Sequence, residues 1–256
     1  MNTKTLIVAL ATSASAALAG PYIVVDNDTD SLYRGPLGVN GGDSLVAPLA
    51  STFWGDLSNF NATSVLATDV DNAVIQRLNA GTGAVEATSA VLDRAARSIA
   101  YDAGTDTVYG LAQSGSFDLF TINLTTGATT TVGAVGVSTI TGAVSLAFDP
   151  VLASLVMTTT TGELYTMSTA DASTALIGNM GITNVFGVEY DPTTGGLYAS
   201  GADRDAIFEI DRSDASVTFV NSLDDATFAT GLAFVPAPGA AGLLGLGGLA
   251  LARRRR

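Results

Sequence analysis

The sequence predicts an all-β chain, a β-propeller of five four-stranded blades closed by its last strand, with a short apolar helix at the C-terminus. Three observations predict it. Taking Leu78, Ile122, Met167 and Ile210 as equivalent gives steps of 44, 45 and 43 residues, the length of one propeller blade. Each repeat contains four short strand-like stretches separated by turn residues. The strand phase is also offset: the chain opens on a second-strand stretch, Tyr22-Ile23-Val24-Val25, and finishes on a first-strand stretch, Gly231-Leu232-Ala233-Phe234. The end of the chain thereby supplies the inner strand that the opening blade lacks, which leaves no large open edge. An open β-sandwich or an irregular β-solenoid is the competing arrangement of the same strands.

Residues 1–19 read as a signal peptide. A short basic start, Met1-Asn2-Thr3-Lys4, precedes a small apolar run from Leu6 to Leu18, and Ala17-Leu18-Ala19 supplies the small residues of an A-x-A cleavage site. Cleavage is expected after Ala19, with Ala17 and Ala19 as the recognised positions. The stretch from Leu6 to Ala19 is 14 residues long, whereas a spanning helix needs about 20 apolar residues.

Residues 20–235 form the propeller. The first strands are Ser98-Ile99-Ala100-Tyr101-Asp102, Ser145-Leu146-Ala147-Phe148-Asp149-Pro150, Gly187-Val188-Glu189-Tyr190-Asp191-Pro192 and Gly231-Leu232-Ala233-Phe234-Val235-Pro236, with a further one near Trp54. Second strands begin six residues after Asp102, Asp149 and Asp191, at Val108, Leu155 and Leu197, a constant spacing that suits a tight hairpin. Third strands alternate apolar and polar residues, as in Leu119–Asn123, Leu164–Ser168 and Ile207–Asp211, with Ile75–Asn79 less regular. The turns that follow hold Gly83 and Gly127 in two copies but Ala172 and Ala215 in two others. Such motifs describe packing and turns: the aromatics are expected to fill gaps between sheets, and Asp102, Asp149 and Asp191 to close hairpins.

Residues 235–256 form a tripartite tail. Val235-Pro236-Ala237-Pro238-Gly239 is a breaker, a 13-residue apolar run from Ala240 to Ala252 follows, and Arg253-Arg254-Arg255-Arg256 ends the chain. The pattern suggests a weakly inserting membrane segment held by terminal arginines.

Charge and missing residue types narrow the function. The chain has no His and no Cys, which excludes a Ser-His-Asp triad, a thiolate nucleophile, disulfides and His- or Cys-ligated zinc. Lys4 lies in the signal peptide and four Arg in the tail, so residues 20–235 keep six Arg against 24 acids, a net −18. Nucleic acid and anionic membrane surface are poor partners for such a domain. Asp26-Asn27-Asp28-Thr29-Asp30 spaces three carboxylates two apart, as calcium loops do, and makes Asp26, Asp28 and Asp30 the candidate calcium ligands. The match departs at Ser31, where the loop needs Gly, and at Leu37, where it needs Glu; a plain Asp-rich turn is the other reading. Asp203-Arg204-Asp205 with Glu209 and Asp211 reads as a solvated hairpin, and Asp69-Val70-Asp71 is a weaker group still.

The tail resembles the PEP-CTERM sorting domain of Gram-negative, exopolysaccharide-producing bacteria. The resemblance covers Val235 to Arg256 and departs at Ala237, where the Pro-Glu-Pro motif has Glu. It implies an exported, cell-surface or extracellular protein that is at least transiently membrane-anchored and handled by an exosortase-like protease. The repeats likewise resemble secreted, propeller-like bacterial proteins that often carry this tail. Two function classes follow. The first is a non-enzymatic surface or matrix protein whose propeller binds a polysaccharide or another protein, with no cofactor other than the candidate calcium ion at Asp26, Asp28 and Asp30. The second is a glycoside hydrolase built on carboxylates at the central channel. Of the four glutamates, Glu86, Glu163, Glu189 and Glu209, only Glu189, on a first strand, is placed to approach that channel.

Overall fold

The computed structural model describes residues 20–51, 54–112, 117–136, 145–201 and 204–235. The signal peptide with Ala17 and Ala19, the sorting motif from Pro236 through Ala237, Pro238 and Gly239 to Arg256, and Asp203 lie outside the described residues. Among the described residues no helix is long and apolar enough to cross a membrane.

Twenty strands form five antiparallel four-stranded blades. Blade I pairs β20 (Ala229–Phe234) with β1 (Pro21–Asp26), β2 (Ser31–Pro36) and β3 (Ser44–Pro48). Blade II runs β4 (Trp54–Asn59), β5 (Ser64–Asp69), β6 (Val74–Asn79) and β7 (Val85–Thr88). Blade III runs β8 (Ser98–Asp102), β9 (Thr107–Leu111), β10 (Asp118–Ile122) and β11 (Thr129–Ala134). Blade IV runs β12 (Ser145–Asp149), β13 (Ser154–Thr158), β14 (Glu163–Met167) and β15 (Thr174–Asn179); blade V runs β16 (Val185–Tyr190), β17 (Leu197–Gly201), β18 (Ala206–Ile210) and β19 (Val217–Ser222). The expected closure is present: β1 pairs with β20, Tyr22 opposite Phe234 and Val24 opposite Leu232.

The strands read as apolar runs because both faces of each blade are covered. Side chains alternate across a strand, so Tyr22 and Val24 enter one apolar cluster with Ile207 and Phe234, while Ile23 and Val25 enter the next with Trp54 and Leu57. Five such clusters fill the five gaps between blades. Each fully buried Leu, Ile or Phe in them contributes about 1.5–3 kcal/mol.

The mixed Gly and Ala turns have a packing cause. Ala172 and Ala215 hold left-handed backbone, φ 59° and 63°, and their methyl groups are fully buried against Gly133 and Gly178 of the preceding blade. At Gly127 (φ +74°) a Cβ would stand 2.1 Å from the Val91 carbonyl oxygen, so no side chain fits there.

Carboxylates tie blade I to blade V. Asp43 accepts the backbone N–H groups of Asp224, Asp225 and Ala226 at 2.9–3.0 Å. Buried Asp26 accepts those of Thr227 and Phe228 with one oxygen.

Candidate functional site: the mouth of the channel

The five innermost strands, β20, β4, β8, β12 and β16, surround the central channel in that order, each packed on the next. Each belongs to a separate sheet, so its channel-facing N–H groups need side-chain acceptors. Strand β4 supplies most of them. Asp56 accepts Ser145 Oγ at 3.0 Å, Leu146 N at 3.2 Å and Leu57 N at 3.0 Å, and Ser145 Oγ in turn accepts Val188 N at 2.9 Å. Ser58 Oγ accepts Tyr101 N at 3.0 Å. Asn59 donates to the Tyr190 carbonyl at 2.6 Å and accepts Phe234 N at 2.5 Å. One strand thus binds the other four across the axis.

Register fixes which residues share a level. Asn59, Tyr101, Phe148, Tyr190 and Phe234 occupy equivalent end positions, opposite Val65, Val108, Leu155, Leu197 and Tyr22 of their second strands. The level below holds Ser58, Ala100, Ala147, Glu189 and Ala233. Glu189 is therefore the one large side chain in a ring of small ones. Its Oε2 accepts Asn59 N and its Oε1 accepts Tyr190 N, both at 2.9 Å, and the residue is 2% exposed. Burial pushes its carboxyl up to about 8, aided weakly by Asp149, while the N–H donors and Ser58 pull it down. Burial likewise raises the Asp56 carboxyl well above the usual range, against the hydrogen bonds from Leu146, Ser145 and Leu57.

At the level of the strand ends the channel widens into a cavity of about 280 Å³. All five blades line it, with Phe60, Tyr101, Phe148, Tyr190 and Phe234 as rings, Pro150 and Pro192 beside them, and Glu189, Asn59, Asn61 and Asp102 as polar groups. The Phe60 and Tyr101 ring centroids are 5.0 Å apart. Tyr101, Phe148 and Tyr190 are half-buried, unlike the third-strand aromatics Phe120, Tyr165 and Phe208, which are buried between blades. The expectation that aromatics fill gaps between sheets holds for the third strands and for Phe234, which is fully buried between blades V and I; Tyr101 and Phe148 also pack against the clusters between blades, yet with Tyr190 they keep part of their surface at the cavity.

The hairpin aspartates act as expected. Asp102, Asp149 and Asp191 each accept a backbone N–H two residues ahead at 2.8 Å, and Asp149 also pairs with Arg212. The candidate calcium triad behaves as a turn. Asp26 Oδ1 accepts Asp28 N and Thr29 N at 2.9 Å, its Oδ2 accepts the Thr227 and Phe228 N–H groups of the segment that leads into β20, and Asp30 takes left-handed backbone at φ 50°. Among the described residues no three acidic side chains converge as a metal site. The other glutamates lie away from the channel: Glu86 pairs with Arg77 on the surface, Glu163 bonds Thr159 and Thr161, and Glu209 is exposed on β18.

Asp56 was the functional-looking acid that motif reasoning missed. Its signal was available: Trp54-Gly55-Asp56-Leu57-Ser58-Asn59 is polar where the other first strands carry Ser-Leu-Ala-Phe or its like.

Neither a protein-family model nor a curated sequence matches the chain. Among solved structures, a chain of a nidogen/laminin complex superposes with TM-score 0.59 and 12% identity, over 84% of this chain and 98% of that one. A protein of unknown function from Bacteroides thetaiotaomicron superposes with TM-score 0.51 and 16% identity, over 78% of this chain and 50% of that one. At such identities the likeness is one of fold, and with the ring of sheets it identifies the chain as a five-bladed β-propeller.

Proposed function

We propose that the protein is an exported, non-enzymatic surface or matrix component whose propeller binds a macromolecular partner, a polysaccharide before a protein, at the mouth of its channel. The observation that carries this reading is the cavity lined by rings from all five blades. Flat aromatic faces beside a few fixed polar groups suit stacking against the apolar face of a sugar. The signal-like N-terminus and the PEP-CTERM-like tail support export and sorting, with an exosortase-like protease acting on the tail. A domain net charge of −18 supports a partner that is not polyanionic.

The second reading, a carboxylate-dependent glycoside hydrolase, is favoured by Glu189, whose raised carboxyl lines the cavity as a general acid would. A glycan panel separates the two. Binding without cleavage is expected, weakened at least tenfold by Phe148→Ala; cleavage abolished by Glu189→Gln would overturn the non-enzymatic reading.

A further inference from the structure

We infer that the channel mouth receives a substituted ammonium group, held by the aromatic ring of Phe60, Tyr101, Phe148 and Tyr190 above the carboxyl of Glu189. This rests on the mouth being the binding face and names the chemistry that it selects. An ammonium bearing carbon substituents is attracted to the negative faces of aromatic rings, and cages of such rings suit it best where water is excluded. The cavity meets those conditions: rings come from four separate blades, the remaining wall is mostly apolar, and its volume, about 280 Å³, suits one compact group.

The floor carries a carboxyl that a bound cation would hold ionised. Glu189 alone interrupts a level otherwise made of Ser58, Ala100, Ala147 and Ala233, and it does so directly beneath the rings. Its oxygens cap the Asn59 and Tyr190 N–H groups, and a cation above it would offset the cost of ionising it at that depth. Asp102 adds a second carboxylate to the lining. The rings already attract cations from outside the cavity: Arg77 stands 5.6 Å from the Phe60 centroid and Arg212 5.8 Å from that of Tyr190. Both guanidiniums are neutralised by their own carboxylates, Glu86 and Asp149, and neither lines the cavity. The strongly acidic domain draws cations toward every face.

The test titrates the full-length protein by calorimetry with choline, with its uncharged carbon isostere 3,3-dimethylbutan-1-ol, and with glucosamine and N-acetylglucosamine oligomers. Choline is expected to bind about tenfold more tightly than the isostere, the size of one good cation–π contact with a desolvated ring. Tyr190→Leu keeps the apolar volume and is expected to erase that preference; Glu189→Gln is expected to reduce it. Thermal unfolding of each variant confirms that it folds, and Tyr101→Leu serves if Tyr190→Leu does not. Equal or tighter binding of the isostere, or of the N-acetylated oligomer over the charged one, overturns the ammonium assignment and leaves the mouth as a binding face for neutral ligands. Binding of no probe or glycan overturns both readings. Choline binding without the charged oligomer supports a small free cation as the source, and binding of both supports an amino-sugar polymer.

Discussion

The waist of the channel and its mouth are built from the same five strands, yet they handle polarity in opposite ways. At the waist Asp56, Ser145 and Ser58 occupy positions between strands and spend their oxygens on backbone N–H groups of neighbouring blades. At the mouth, one to three residues further along, rings stand at the ends of four of the five strands and border an open, mostly apolar cavity. The difference separates a polar network that holds the blades in register from a surface left free to meet a ligand. Glu189 belongs to both: its oxygens cap N–H groups, and it lines the cavity.

The widest separation between the two regions comes from deleting the acceptor at the waist. Asp56→Ala orphans the buried Leu146 and Leu57 N–H groups and the Ser145 hydroxyl, at about 1–3 kcal/mol for each unsatisfied group. A loss of about 4 kcal/mol in urea-induced unfolding is expected, with Asp56→Asn milder because it keeps one acceptor. A loss as small as that of a mouth variant would erase the distinction.

Acidity sharpens the comparison next. Glu189 titrates near 8 in the folded protein against about 4.5 unfolded, and the folded state therefore binds more protons between these values. The associated stability is fully present below about pH 4.5 and is lost as pH rises toward about 8. Asp56 shifts in the same direction. Denaturation midpoints should fall by the equivalent of a few kcal/mol across that window, and Glu189→Gln should flatten the slope. A flat wild-type profile would show that both carboxyls ionise freely.

The smallest effect belongs to the rings. Phe148→Ala removes a half-buried side chain whose backbone contacts stay intact, so a stability loss of about 1–2 kcal/mol is expected, below the range for fully buried Phe. Its consequence falls on binding.

Much of the fold was legible because each blade repeats one local pattern. Alternation, the aromatic-Asp-Pro ends and the six-residue spacing are set within a hairpin, and the phase offset between Tyr22 and Gly231 reveals the closure. The ties between blades were not legible. Asp43 and the amide of Asp224 are 181 residues apart, and nothing local distinguishes Asp43 from a surface acid. Spacing also left Asp26-Asn27-Asp28-Thr29-Asp30 open, since alternate carboxylates serve a hairpin turn as readily as a cation, and only the fold brings Thr227 and Phe228 to Asp26. Of the site, Glu189 was visible as the one glutamate on a first strand, whereas the rings carried the same motif whether they faced a neighbour or open space.

The pairing of Tyr22 with Phe234 also sets an order of events during folding. Blades II to V can each assemble from contiguous chain, but blade I stays one strand short until the final residues of the domain arrive. Until then β1 exposes an apolar edge whose natural partner is chemically identical in every other copy. The closing pair joins strands from the two ends of the domain, so the ring is complete only when both ends have met. The last strand is thus the clasp on which closure of the whole ring depends.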